Sequence, residues 1–276
     1  MAGTASTVRS WLLLEHAGPW GRHGLLDARL PDGLGAALVA RCRRAGVRPL
    51  LIRRPGGGRG SSACFAIRSG PGSPWIERTE LDDVVDALGL DLEALGQGER
   101  VGAGPVEGAL FVVCTHGRHD PCCAERGRPL ALALTGTFPE ETWECSHIGG
   151  DRFAGNLVAF PHGIYFGRVG PDDGVRVARA YLDGTIALEH LRGRSSHPMA
   201  VQAAEHALRS DRGIDRIEDV ILERAERSGR EVLVTFRVPG GRATVRLSIE
   251  AESPAFLTCH SAAAEAPPAY RVRSIE

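Results

Sequence analysis

The sequence predicts an α/β protein in three parts, and three observations lead to that prediction. Short apolar runs typical of buried strands alternate with segments whose apolar residues recur at helical spacing. A glycine-rich stretch, residues 96–108, separates the first group of such segments from the second. Beyond residue 195 the pattern changes to helices followed by two strands with alternating apolar residues. We therefore expect an α/β segment at 1–104, a central domain at 105–195 and a small α+β module at 196–276.

The first part carries three apolar runs that we interpret as strands, at 11–15, 47–52 and 63–67. Apolar residues at helical spacing predict a helix over 31–45. A second helix is expected over 82–95, because acidic residues at 82 and 83 suit a helix N-terminus.

The central part has a sharper pattern. It contains a buried-type run that ends just before Cys114, a helical segment, an alternating segment, a hairpin and an amphipathic helix. This order, β-α-β-β-β-α, fits a small thioredoxin-like sheet with helices packed against it. The predicted elements are 109–113, 123–134, 142–147, 157–160, 164–169 and 172–182.

The last part carries no chemical motif. After a loop at 192–197 we expect two helices and a half-buried hairpin, followed by an Ala- and Pro-rich tail that is loosely held. The predicted helices are 198–209 and 217–228, the strands are 231–238 and 242–249, and the tail covers 262–269.

Composition excludes several classes of protein. All 33 basic residues are Arg, so Schiff-base enzymes, pyridoxal-phosphate enzymes and P-loop ATPases lack their lysine. The glycine-rich residues 55–60 lack a following Lys-Ser or Lys-Thr, and we interpret them as a mobile loop. A net charge of -1 without a basic stripe argues against nucleic acid. No apolar run approaches the roughly 20 residues that span a bilayer. We expect a cytoplasmic protein without a membrane partner.

The seven cysteines are unevenly distributed. Four of them, Cys114, Cys122, Cys123 and Cys145, lie close together in the central part. In a cytoplasmic chain such clustering indicates metal or redox chemistry rather than a disulfide framework. The remaining three are expected to be small buried apolar residues: Cys42, Cys64 and Cys259.

Thiols and an imidazole converge on two predicted strand ends. Cys114 closes one strand and Cys123 opens the following helix, so the intervening loop can bring both sulfurs together. Cys145 and His147 stand at i and i+2, which places them on one face of the next strand. Such donors suit iron–sulfur clusters, zinc or copper. The pair Gly149-Gly150 would let the backbone approach a bulky cofactor, and Arg152 could shield its charge. We expect four histidines to be solvated loop residues: His116, His119, His162 and His260.

These residues resemble the sucrase/ferredoxin-like family, a branch of the thioredoxin-like ferredoxins. The resemblance is carried by Val113-Cys114-Thr115-His116-Gly117 and by Ser146-His147-Ile148-Gly149-Gly150-Asp151-Arg152-Phe153-Ala154, with Gly18-Pro19-Trp20-Gly21 upstream. It implies a 2Fe–2S cluster held by two cysteines, which match Cys114 and Cys123, and by two histidines of a His-x-Gly-Gly-His motif. The first of these histidines matches His147.

The second histidine of the motif is replaced, because position 151 is Asp. Three donors remain open for the fourth ligand: the Asp151 carboxylate, Cys145 and Cys122. Thiolates bind ferric iron in such clusters more commonly than carboxylates do, so Cys145 is preferred. The predicted ligand set is Cys114, Cys123, Cys145 and His147, with Gly149, Gly150 and Arg152 lining the cofactor.

The resemblance implies one-electron transfer between redox partner proteins, a reductase and an acceptor that the sequence does not identify, with a homodimer left open. An electron carrier is favoured over a catalyst, and sucrase activity is not expected, because nothing indicates the paired carboxylates of a glycosidase. Two alternatives remain open. One is a thiol-dependent redox enzyme that uses Cys122 or Cys123, and the other is a structural zinc site.

Overall fold

A computed structural model describes residues 1–57, 62–70, 72–259 and 261–276. The predicted loop at 55–60 lies partly outside these residues, and His260 lies outside them altogether. The described chain forms a ten-stranded sheet and a four-stranded sheet with helices packed against them. The prediction of a mixed α/β fold is confirmed. No helix in the described ranges is both long and apolar enough to cross a membrane.

The first part contains the three predicted strands and the first predicted helix, but it also has two unpredicted strands, at 75–81 and 104–105, and differs near residue 90. The prediction of a single helix over 82–95 is wrong, because two aspartates each cap a separate helical segment. Asp83 caps a 3-10 turn at Val84–Gly89, and Asp91 then caps a new α-helix. The elements are β1 (Ser10–Glu15), α1 (Leu34–Ala45), β2 (Val47–Arg53), β3 (Ser62–Arg68), β4 (Trp75–Leu81), α2 (Leu92–Gln97) and β5 (Gly104–Pro105).

The central part has the predicted order of elements. Its strands are β6 (Leu110–Cys114), β7 (Thr142–Cys145), β8 (Leu157–Phe160) and β9 (Ile164–Phe166), with helices α3 (Pro121–Thr135) and α4 (Pro171–Leu182). β7 runs parallel to β6, and β8 runs antiparallel to β6 and to β9. The spatial order β7-β6-β8-β9 is that of a thioredoxin-like sheet. This confirms the fold expected for the part that contains the cysteines.

One sheet joins the first part to the central part. β2 pairs with β7, with Ile52 opposite Cys145 and Arg53 opposite Glu144. With β10 (Leu191–Arg194) at one edge, the whole sheet has the order β10-β9-β8-β6-β7-β2-β1-β3-β4-β5. β7 therefore lies between β2 and β6, and Cys145 is completely buried. The division into domains at 104 and 195 stays a prediction.

The third part differs most from its prediction. The helix expected over 217–228 is wrong, because residues 221–228 pair with the next strand as an edge strand. Residues 268–269, expected in a loose tail, belong to a strand paired with its neighbour. The loop expected at 192–197 begins with a strand. The elements are β10 (Leu191–Arg194), α5 (Met199–Arg212), β11 (Ile221–Ser228), β12 (Glu231–Val238), β13 (Gly241–Ala251) and β14 (Pro268–Ile275).

Candidate metal centre

The turn between β6 and α3 sets the position of the first two cysteines. Cys114 is the last residue of β6. Asp120 caps α3, because its carboxylate accepts a hydrogen bond from the Cys122 backbone N–H at 3.0 Å, and Pro121 occupies the first helical position. Cys123 therefore lies in the first turn of α3, with 1 % of its surface exposed.

Gly127 allows α3 to lie directly against Cys114. A Cβ at position 127 would stand 2.0 Å from the Cys114 carbonyl oxygen, so only glycine fits this contact. Cys123 is one helical turn before Gly127 and faces the same side of α3. The close approach of the helix therefore brings the Cys123 thiol to the Cys114 thiol.

The segment after β7 carries the histidine. Cys145 pairs with Cys114 in parallel register. Two residues later, the His147 backbone N–H donates to His116 Nδ1 at 3.1 Å, and His116 Nε2 donates to the Gly21 carbonyl at 2.8 Å. His116 is buried, and burial lowers its pKa, so it is a neutral positioning residue. The expectation that it is solvated is wrong.

The donor atoms of Cys114, Cys123 and His147 all lie within 4.8 Å of one another. Cys123 Sγ is 3.9 Å from His147 Nδ1. The His147 ring is stacked on His119, with 3.8 Å between centroids and 20° between planes. Two thiols and an imidazole form a donor set that suits iron–sulfur clusters and zinc. The residues present therefore fit the group that the family resemblance implies.

The three buried thiols differ in how readily they lose a proton. Hydrogen bonds from Cys123 and then from Cys145 lower the pKa of Cys114 well below its usual value, although burial opposes this. Donation to Cys114, together with burial, raises the pKa of Cys123. Burial is the main reason that the pKa of Cys145 is raised, and its bond to Cys114 adds to the effect. Of the three thiols, Cys114 is therefore the one that ionises most readily.

Asp151 lies on the other side of this group. Its carboxylate is 3 % exposed, and its Oδ1 is 3.2 Å from His147 Nδ1. The Cys123 Sγ lies 3.7 Å from the same oxygen. Burial raises the pKa of Asp151. The residue that replaces the second histidine of the motif thus contacts two predicted ligands.

Comparison with known proteins identifies the family. The family model described as Sucrase/ferredoxin-like matches residues 1–193. The chain belongs to the sucrase/ferredoxin-like family. Among curated proteins, Altered inheritance of mitochondria protein 32 from Meyerozyma guilliermondii is 32% identical over 87 residues, or 28% of this chain. That match spans 29% of the length of the relative.

Two solved structures are also similar to this sucrase/ferredoxin-like protein. Both are cysteine-to-serine variants of the thioredoxin-like 2Fe–2S ferredoxin from Aquifex aeolicus. Each is 18% identical, covers 30% of this chain and 97% of the ferredoxin, and superposes with a TM-score of 0.26.

In this sucrase/ferredoxin-like protein the second motif glycine, Gly150, makes room for a buried arginine. Gly149 and Gly150 have φ of +92° and +82°, and a Cβ on Gly150 would overlap the Arg192 guanidinium. Arg192 donates to the Gly149 carbonyl at 3.0 Å and to Asn156 Oδ1 at 2.8 Å. Arg192 therefore holds the loop between His147 and Asp151. Cofactor contact by the two glycines stays a prediction. Cofactor contact by Arg152 also stays a prediction, and its exposed guanidinium lies over the Phe153 ring.

The remaining cysteines divide into two kinds. Cys42 and Cys64 are buried, as predicted. The prediction for Cys259 is wrong, because it is exposed and forms a disulfide with Cys122. Asp120 supports this link, since its second carboxylate oxygen accepts from the Cys259 backbone N–H at 2.8 Å. A bonded Cys122 sulfur is not a free thiolate donor, so the choice for the fourth ligand narrows to Asp151 and Cys145.

Proposed function

We propose that this protein carries one electron at a time on a 2Fe–2S cluster bound by Cys114, Cys123 and His147. The observation that supports the proposal is the convergence of these three donors within 4.8 Å in a member of this family. A bound cluster would supply the one-electron chemistry. The protein would supply thiolate and imidazole ligands and a buried setting that fixes the potential.

Two residues remain candidates for the fourth ligand. Asp151 is favoured by its contacts with His147 at 3.2 Å and Cys123 at 3.7 Å. Cys145 is favoured by the general preference of ferric iron for thiolate and by its hydrogen bond to Cys114. The contacts of Asp151 with two proposed ligands outweigh that preference, and we propose Asp151 as the fourth ligand.

The chain's own residues would hold the centre in place and exclude water from most of it. Hydrogen bonding through His116 fixes the His147 backbone, and stacking on His119 fixes the His147 ring. The three thiols are at most 1 % exposed, whereas the His147 side chain is 21% exposed. His147 therefore marks the side at which electrons would enter and leave.

The first experiment is anaerobic purification followed by a visible spectrum and by iron and sulfide analysis. If the protein binds a cluster, it should be brown and show charge-transfer bands. Cys114→Ser and Cys123→Ser should each abolish the cluster, because each substitution removes a thiolate ligand. Cys42→Ser and Cys64→Ser are matched controls, since these cysteines are equally buried but lie outside the centre. Full iron content in a Cys114 or Cys123 variant would contradict the ligand assignment.

A pair of variants tests the fourth ligand. Asp151→Asn should shift the spectrum or empty the site, while Cys145→Ser should leave both the spectrum and the iron content nearly normal. The reverse result would assign the ligand to Cys145. An Asp151→His variant restores the family motif and should retain a cluster, which controls for loss of folding.

The two alternative functions predict different experimental results. A structural zinc site would use the same donors but give a colourless protein with stoichiometric zinc. A thiol-dependent redox enzyme is favoured by the Cys122–Cys259 disulfide, which lies beside Cys123 at the start of α3. Disulfide reductase activity that disappears in both Cys122→Ser and Cys259→Ser, in a protein without iron, would support that enzyme.

We also propose that the redox partners are a reductase and an acceptor protein in the cytoplasm. The free thiols of the proposed centre suit a reducing compartment, where a disulfide such as Cys122–Cys259 would be of the transient, redox-active kind. The name of the yeast relative indicates mitochondria as the alternative. Fractionation of cells that produce the tagged protein distinguishes the two compartments.

A further inference from the structure

Five arginines surround the candidate centre, and we call them the arginine rim: Arg118, Arg126, Arg128, Arg152 and Arg168. All five are exposed. Arg118 and Arg128 line a cleft of about 320 Å³ that also contains His116. The other three line a cleft of about 620 Å³ that also contains Asp151. The loop from Cys114 to Cys123 contributes to both clefts, so the rim flanks this loop on two sides.

The rim is unusual because its charges are not neutralised within the described part of the chain. There, none of the five guanidiniums forms an ion pair within 4.0 Å or a hydrogen bond with a protein acceptor. By contrast, Arg53, Arg176 and Arg209 each pair with a carboxylate. The two clefts offer little compensation, because their acidic lining residues are Glu125 and the buried Asp151.

Two of the rim charges are held close together. The guanidiniums of Arg152 and Arg168 lie 4.7 and 5.6 Å from the centroid of the same ring, that of Phe153. Arg168 has φ of +55°, a left-handed conformation that is unfavourable for a residue with a side chain. Two exposed like charges on one ring create a local positive potential, which attracts anionic groups.

The rim lies next to the most accessible ligand of the centre. One cleft contains His116, which accepts a hydrogen bond from the His147 backbone, and the other contains Asp151, whose Oδ1 is 3.2 Å from His147 Nδ1. A protein that covered both clefts would therefore lie beside the partly exposed His147. The full chain has a net charge of -1, so the positive charge of the rim is a local feature.

We propose that the electron-transfer partner docks on the arginine rim through an acidic protein surface. The inference rests on the proposed function and adds the chemistry of the partner. Complementary charge steers two proteins together and can raise association rates about 10- to 1000-fold at low salt. It also explains why exposed cations remain unpaired beside a centre that carries electrons.

The test measures how fast the reduced protein is oxidised by probes of opposite charge. We suggest stopped-flow mixing with an anionic probe, hexacyanoferrate(III), a cationic probe, tris(phenanthroline)cobalt(III), and an acidic flavodoxin. Oxidation by the anionic probe and by the flavodoxin should slow as salt rises, because screening weakens their attraction to the rim. Oxidation by the cationic probe should become faster.

A triple variant with Arg118→Gln, Arg152→Gln and Arg168→Gln should lower the low-salt rate with flavodoxin roughly tenfold and flatten its salt dependence. These side chains are exposed and unpaired, so folding should be preserved. The matched control carries Arg43→Gln and Arg44→Gln. Both residues are exposed near the C-terminus of α1, next to the start of β2, whereas the centre lies beside the end of β2. The control should behave like the wild type.

Four results would overturn the proposal. Equal oxidation rates for the triple variant and the wild type, in a protein that contains a cluster, would contradict docking on the rim and leave the proposed function intact. Equal losses of rate for the rim variant and the control would show a general charge effect. Arginine-dependent binding of a DNA oligonucleotide, without an effect on flavodoxin, would assign the rim to nucleic acid. A colourless wild-type protein without iron would remove both the rim proposal and the proposed function.

Discussion

The contact between Gly127 and Cys114 can be tested by adding one methyl group. Gly127→Ala places a Cβ 2.0 Å from the Cys114 carbonyl oxygen and 3.1 Å from the Cys114 carbonyl carbon. Both atoms belong to the backbone of β6, which is completely buried and paired on two sides. The strand cannot yield easily, so α3 has to withdraw.

The size of the effect follows from that overlap. Real Cβ contacts are essentially never shorter than 3.0 Å, so the helix must retreat by about 1 Å. Overpacking of this kind costs about 1–3 kcal/mol, and the better helix propensity of Ala returns about 1 kcal/mol. We expect a net loss of up to about 2 kcal/mol in the free energy of unfolding. Cys123, one turn away, moves with the helix, so the iron content should fall more clearly than the stability.

The assay combines urea unfolding of the cluster-free protein with iron analysis and a visible spectrum of the reconstituted protein. Gly89→Ala is the control, because no heavy atom lies within 4 Å of its added Cβ and its φ is not positive. The control should keep its iron content. A Gly127→Ala variant with wild-type iron content and spectrum would refute the claim that this contact positions Cys123.

Two further predictions concern buried charges. Burial alone would raise the pKa of Glu205, but Arg194, His197 and Arg209 hold it well below its usual value. This stabilisation is present above the unfolded-state pKa and is lost as pH falls through the folded one. Glu205→Gln should therefore cost about 3–5 kcal/mol in urea unfolding at pH 7, with a gap to the wild type that narrows below about pH 4.5. A constant gap would contradict the electrostatic origin. Arg192, 1 % exposed, has a pKa lowered by burial to about 10 and stays charged at neutral pH. Arg192→Gln should lower the reduction potential of a bound cluster, because a buried cation favours electron uptake. The exposed Arg152→Gln should shift it less, and equal shifts in redox titrations would refute the role of burial.

The sequence was sufficient for the central sheet because each element there carries its own local signal. Residues 110–114 are apolar and completely buried, and residues 171–182 have the 3.6 periodicity of a helix that packs on one face. Cys114 and Cys123 could be placed at a strand end and a helix start for the same reason. Their proximity follows from the β-α connection, which is a local feature of the chain.

The missed features depend on contacts between distant parts of the chain. His116 is buried because its ring bonds the carbonyl of Gly21, 95 residues away. Arg192 reaches Gly149 across 43 residues, and Cys122 and Cys259 are 137 apart. β11 carries no strand signal because, as a mostly exposed edge strand, it shows no alternation of buried and exposed positions, and this is why a helix is predicted there instead. No spacing rule within a single segment contains such information.

Residues of the first part contact the residues that hold the candidate centre, which explains why the family match begins at residue 1 rather than near residue 105. Gly21 anchors His116, which in turn holds the His147 backbone, and Trp20 packs edge-on against the His116 ring. Arg53 of β2 binds Glu144 at 2.6 Å, and the Thr115 hydroxyl donates to the same carboxylate at 2.9 Å. The turn after Cys114 is thus held from both sides, by α3 and by the first part. The loop that carries the predicted ligands is shaped by a sheet that spans two of the predicted parts.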